Sequence, residues 1–97
     1  MNSAAECVRL ISENLAYIRS EFGVTGITLF GSVARGDNRS DSDVDILVDM
    51  PPRILQMSAL KLFLENLLHA SVDLVRRHAH LSQKFLNQIY SDAITIL

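Results

Sequence analysis

Tryptophan is absent from this chain of 97 residues, cysteine occurs once and proline twice. The lone cysteine, Cys7, excludes an intramolecular disulfide and fits a reducing cytoplasm. It falls within a helical pattern, where a thiol serves as a small buried or half-buried side chain. Pro51 and Pro52 are adjacent, so proline marks one break in the chain and no proline-rich linker. No apolar run reaches the ~20 residues that cross a bilayer, and no signal-peptide pattern is visible. Positive charge is not in excess: 9 Lys and Arg face 11 Asp and Glu, for a net charge of −2. Apart from Arg76-Arg77 the cations are scattered, which argues against a grip on nucleic-acid phosphates. Apolar residues are abundant at 48%, enough for one modest core, and the chain reads as a single domain over residues 1–97.

Ser3-Ala4-Ala5-Glu6 reads as a capping box. Val8, Ile11, Leu15, Ile18 and Phe22 follow at helical spacing until Gly23, which predicts one continuous helix. Residues 25–30 read as a strand, 32–36 as a short helix, 37–42 as a polar loop and 43–48 as a second strand. After Met50-Pro51-Pro52 a helix runs from about Ile54 to His69, which caps it. Residues 72–75 form a third strand, and Ser82 opens a last helix to about Asp92. Ile94-Thr95-Ile96-Leu97 is either the end of that helix or an extended tail. The order α-β-α-β-α-β-α predicts an α/β (α+β) sandwich with a small sheet. Its strands are too few and its connections too short for a doubly wound fold.

The chemistry concentrates between Gly31 and Asp45. Gly31 follows the first strand, where glycine lets the backbone turn sharply and a ligand approach the main chain. Ser32 adds a hydroxyl, and amides at the start of the next helix favour a phosphate. Side chains alternate along a strand, so Asp43 and Asp45 point to one face while Val44, Ile46 and Val48 point to the core. Two carboxylates so placed repel unless a cation lies between them. Oxygen ligands of this kind suit Mg²⁺, which takes one or two carboxylates plus substrate phosphates. Asp73 lies in the third strand. Beside the Asp43/Asp45 strand it completes a triad able to orient or deprotonate an attacking hydroxyl. Two rival motifs fail. A calcium-binding EF loop starting at Asp41 needs glycine and glutamate where Ile46 and Pro52 stand. Gly31 and Gly36 have P-loop spacing, but Asp37 and Asn38 replace the required Lys and Ser/Thr.

Gly31-Ser32, ten residues, then Asp43-x-Asp45 resembles the signature of the DNA polymerase β-like nucleotidyltransferases. The neighbouring Arg35-Gly36 and Ser42-Asp43 bring the chain nearer to the minimal nucleotidyltransferases (MNT), the antitoxin partners in HEPN/MNT toxin–antitoxin pairs. The resemblance extends over nearly the whole chain and implies a polymerase β-like fold with a small mixed sheet. It implies that Gly31 and Ser32 bind a triphosphate and that Arg35 touches phosphate. Asp43 and Asp45 would hold Mg²⁺, with Asp73 the third acid, as metal ligand or general base. It implies transfer of AMP from ATP, in the antitoxin branch to a tyrosine of a cognate helical HEPN ribonuclease toxin.

The helix over 54–69 carries more apolar surface than one core-facing stripe requires: Ser58, Lys61, Glu65 and His69 form its narrow polar line. Either it is wedged between the sheet and another helix, or it presents a docking surface for a second subunit or a helical toxin. Homodimer and hetero-oligomer both stay open. Arg76, Arg77, His78 and His80 read as a charged loop or as a nucleotide or partner contact. Asp41 and Asp49 read as solvated strand edges. Three functions follow in order: an AMP-transferring enzyme acting on a protein hydroxyl, a non-catalytic antitoxin that covers its toxin, and a nucleotidyltransferase acting on a small alcohol such as an aminoglycoside. The last normally brings a second domain to shape its acceptor site.

Overall fold

The computed structural model describes residues 3–39 and 41–97; Met1, Asn2 and, within the predicted polar loop, Ser40 lie outside the described residues. The first helical stretch is broken. Helix α1 spans Ala4–Glu13, and Ser3 caps it by accepting the Glu6 N–H at 3.1 Å. At Asn14 the backbone leaves helical geometry (φ −109°, ψ 13°), and helix α2 runs over Leu15–Phe22. The physical reason is the asparagine amide. Its Nδ2 donates to the Leu10 carbonyl at 2.8 Å, replacing the backbone donor the helix would otherwise supply. The apolar spacing continues through this break, which is why one helix was expected. Gly23, at φ +67°, ends α2 in the left-handed region.

Strand β1 (Gly26–Phe30) leads into a short helix, α3 (Gly31–Arg35), and strand β2 (Val44–Asp49) returns beside β1. Helix α4 (Ile54–Leu68) ends at His69, whose left-handed backbone (φ 53°) directs its N–H to the Glu65 carbonyl. Strand β3 (Val72–Arg76) follows, then helix α5 (Gln83–Ser91), whose cap Ser82 accepts the Phe85 N–H. The C-terminal residues resolve the open alternative: Ile94–Thr95 form a short strand, β4, rather than extending α5.

The four strands form one mixed sheet in the order β3-β2-β1-β4. β1 pairs antiparallel with β2 and with β4, and β2 pairs parallel with β3. A parallel pair needs a crossover, which α4 supplies. Ile11, Ile18, Leu29, Ile46, Leu60, Leu64 and Leu68 are fully buried where helices meet the sheet, and Cys7 is buried among them. Tyr17, Phe22 and Phe63 tie α2 to α4, with ring centroids 5.1 to 6.1 Å apart. The other sheet face is covered too, since the cross-strand pair Thr28 and Leu47 is buried.

Helix α4 is packed on one side only. Leu60, Leu64 and Leu68 are buried, while Ile54, Leu55 and Leu62 remain 81%, 85% and 60% exposed. No helix among the described residues is long and apolar enough to cross a membrane.

Candidate active site

The predicted site residues gather at one end of the sheet. The β1/β2 register sets Phe30 opposite Asp45, so the chain turns at Gly31 immediately beside that carboxylate. Gly31 has φ +76°, a left-handed conformation that side chains disfavour, and a Cβ there would collide with Asp45 Oδ2. Gly36, also left-handed at φ +83°, closes α3: its N–H reaches the Ser32 and Val33 carbonyls at 2.9 and 3.2 Å. The turn is therefore fixed at both ends, with Ser32, half-buried, inside it.

Asp73 meets Asp45 across the parallel ladder. The two are register partners on β3 and β2, so their side chains leave the same face of neighbouring strands. The Asp45 carboxyl is pushed above the usual carboxylate range. Burial contributes most, followed by the charges of Asp73 and Asp43 and a hydrogen bond with Asp73, while Arg35 opposes the shift. Asp43 acts on this pair from outside the strand. It precedes β2 rather than lying within it and is exposed. Among the described residues no three acidic, histidine or cysteine side chains converge as a ready-made metal cage.

These residues nevertheless suit a divalent cation. Asp45 is held beside like charges that raise the cost of its ionisation, and a cation reverses that cost. Mg²⁺ needs few protein ligands when a substrate supplies phosphate oxygens, so a complete protein cage is unnecessary.

Arg35 is exposed and donates from Nε to Asp37 Oδ2 at 3.2 Å, close enough to the acids to act on Asp45. Arg39 closes its loop against Ser42, its N–H donating to Ser42 Oγ at 2.8 Å. A recess of about 430 Å³, bordered by Glu6, Arg39, Asp41, Ser42 and His69, opens beside Val44. Val44, which borders it, leaves β2 on the face opposite Asp45.

Asp49 is not the solvated edge that its sequence suggests. Arg77 Nε donates to its Oδ1 at 2.7 Å, and Arg77 Nη1 donates to the Tyr90 hydroxyl at 3.0 Å. This chain of contacts fastens α5 to β2 and gives one member of the basic cluster a structural partner. Asp49 is a strand residue separated from Arg77 by 28 positions, and local pattern carries no sign of such a pair.

The family model described as polymerase beta, nucleotidyltransferase, matches residues 13–97. The chain belongs to the polymerase beta nucleotidyltransferase family. This nucleotidyltransferase is similar to the protein adenylyltransferase MntA of Thermococcus cleftensis, at 40% identity over 79% of this chain and 80% of that one. A solved minimal nucleotidyltransferase superposes with a TM-score of 0.74 at 36% identity, with 92% of each chain covered. The same fold recurs, at 20% identity and a TM-score of 0.63, in a complex of the tri-AMPylated Shewanella oneidensis HEPN toxin with MNT antitoxin. That likeness covers 93% of this nucleotidyltransferase and 71% of the other chain.

Proposed function

We propose that this nucleotidyltransferase transfers AMP from ATP to a hydroxyl on a partner protein, a tyrosine of a HEPN-type toxin, and so serves as a cytoplasmic antitoxin. The observation that carries this reading is Gly31 set against Asp45, with Asp73 opposite Asp45 on the next strand. The missing side chain at Gly31 lets the Asp45 carboxylate lie against the turn, so phosphates held by that turn would lie next to the acids. The likeness to the Thermococcus protein adenylyltransferase supports the choice of reaction, and the likeness to the AMPylated toxin complex supports a toxin as acceptor.

Asp43 and Asp45 would hold Mg²⁺, with Asp73 as a further ligand or as base. When bound, the ion supplies the positive charge that the triphosphate and its transition state require. Gly31 and Ser32 hold the phosphates through the turn, and Arg35 adds a cation on the phosphate side. Asp73 orients the acceptor hydroxyl and takes its proton. The hydroxyl oxygen then bonds to the α-phosphorus as the bond to the bridging oxygen breaks and pyrophosphate leaves.

The test is label transfer. The purified chain is incubated with Mg²⁺, ATP labelled at the α-phosphate and a lysate of its host, beside Asp43→Asn and Asp45→Asn variants. A labelled protein band that disappears in both variants supports the reading. Transfer that survives in both variants overturns the assignment of the acids.

A second reading has its own observation. The exposed Leu55 and Leu62 on α4 suit a chain that neutralises a toxin by covering it, without transfer. Neutralisation by Asp45→Asn with no adduct on the toxin decides for that reading.

A further inference from the structure

β3 is an outer strand of the sheet, paired among the described residues with β2 alone. In a parallel ladder alternate residues turn their N–H and C=O groups toward opposite sides. The Ser71 carbonyl accepts the Val44 N–H at 2.9 Å and the Arg77 N–H donates to the Val48 carbonyl at 2.8 Å, so both face β2. The alternation therefore turns the main-chain groups of Val72, Leu74 and Arg76 outward. Val72 is closed off, because its N–H donates to Glu65 Oε2 at 3.0 Å. Leu74 and Arg76 are the stretch of edge beyond that cap.

Beside them lies a notch of about 250 Å³ lined by Ile54, Met57, Ser58 and Lys61 of α4 and Leu74 of β3. Ile54 is almost wholly exposed at its rim. Among the described residues lining the notch Lys61 alone is charged, and Arg76 shares the Leu74 face of β3. The notch is largely apolar with Lys61 at its side, and Glu65, one turn further along α4, is already engaged by the Val72 N–H. Strand edges that must stay unpaired are blunted by charge or covered. Here the blunting by Glu65 reaches Val72 and goes no further.

We propose that the β3 edge accepts an extended segment of a partner protein as a fifth strand. One large apolar side chain of that segment fills the notch beside Leu74, and an acidic residue next to it faces Lys61. Main-chain bonds to Leu74 and Arg76 supply the grip, and the notch with its lysine selects the sequence. A second copy of this chain suits this edge less well, because the residues on the Leu74 face of β3 are Val72, Leu74 and Arg76, with no acid among them to meet Lys61. Asp73 belongs to the same strand and leaves from its other face, so a segment bound here lies one residue from the acids. The inference rests on the strand edge and the notch and needs nothing of the transfer chemistry.

The test begins with selection of a random peptide library displayed on phage against the full-length chain, followed by ¹⁵N shift mapping with a synthetic copy of an enriched peptide. The expected peptides share one large apolar residue with an acidic neighbour, and they shift and protect the amides of Leu74 and Arg76. Lys61 is exposed, so Lys61→Glu leaves the fold intact and weakens that peptide about tenfold or more, a loss typical of one charge pair reversed. Leu62→Lys, on the outward side of α4, leaves binding unchanged. The proposal is overturned if no peptide enriches over a blank surface or if the peptide shifts centre on Leu55 and Leu62. It is equally overturned if the Leu74 and Arg76 amides respond only to the chain's own concentration.

Discussion

Gly31 and Asp45 occupy adjoining space so closely that a methyl group on the first would strike the carboxylate of the second. The contact couples the turn to the acid: neither can change without displacing the other. It also offers a control at the other end of the same turn, because a Cβ at Gly36, which caps α3, would meet nothing within 4 Å although its backbone is equally left-handed.

The first prediction compares those two glycines. Gly36→Ala suffers only the left-handed backbone, roughly 1 kcal/mol of stability, and retains transfer within a few-fold. Gly31→Ala suffers the same strain and also displaces Asp45, so transfer falls by about a hundredfold or more. Denaturant titration and the label-transfer rate, measured on both variants, test the contrast. Equal rates would show that the space over Asp45 is not where the phosphates lie.

The second prediction concerns pH. The folded protein raises the Asp45 pKa above its ordinary value, chiefly by burial and by the charge of Asp73. Between the ordinary and the raised value the folded state binds more protons than the unfolded chain, so stability falls as pH rises through that window. Above that window the protein without metal carries the full penalty. Asp45→Asn cannot ionise and is expected to have a higher Tm than wild type in the presence of a chelator at neutral pH. That gain shrinks as pH falls through and below the carboxylate range. Adding Mg²⁺ and ATP should stabilise wild type and reverse the order. Differential scanning fluorimetry over a pH series, with and without chelator, measures both signs.

A third prediction concerns the Asp49–Arg77–Tyr90 contacts. The ion pair is 2.7 Å long, but its side chains are 34% and 46% exposed, so solvent screens it. Arg77→Ala is expected to lower stability by about 0.5–1 kcal/mol, and Tyr90→Phe by less. Neither residue touches the acids, and transfer should stay within two-fold or so of wild type. A double-mutant cycle with Asp49→Asn separates the ion pair from the phenol contact.

The fourth prediction is deletion of residues 94–97. The Ile96 and Leu97 N–H groups both donate to the Ile27 carbonyl, at 2.9 and 3.1 Å, and Ile94, Ile96 and Leu97 pack against the core. Removing them should destabilise the chain by roughly 3 kcal/mol or more and bare the edge of β1. Urea unfolding gives the loss, and light scattering reports the self-association expected of the open edge.

The strands and the site sequence were legible because their signals are local. Period-two alternation at Val44, Ile46 and Val48 marked β2, and the spacing from Gly31-Ser32 to Asp43 and Asp45 drew attention to one end of it. Asp73 could be suspected, but its place beside Asp45 depends on a parallel pairing set by packing of α4. Three features were beyond local pattern. Asn14 breaks a helix whose apolar spacing runs on undisturbed, because its amide competes for the Leu10 carbonyl. Ile94–Thr95 could have continued a helix until β1 supplied a strand to join. Asp49 finds its cation through the fold and not along the chain.

The parallel pairing of β2 with β3 divides the labour among the three acids. Asp45 and Asp73 are spaced by the hydrogen-bond ladder itself, a ruler that nothing short of unfolding can stretch. Asp43 hangs at the end of the polar loop, outside that ladder. The position of Asp43 is therefore set by the loop that precedes β2, while the Asp45–Asp73 spacing is set by the sheet. Mutations that retune the loop should alter what the site accepts long before they alter how its rigid half is built.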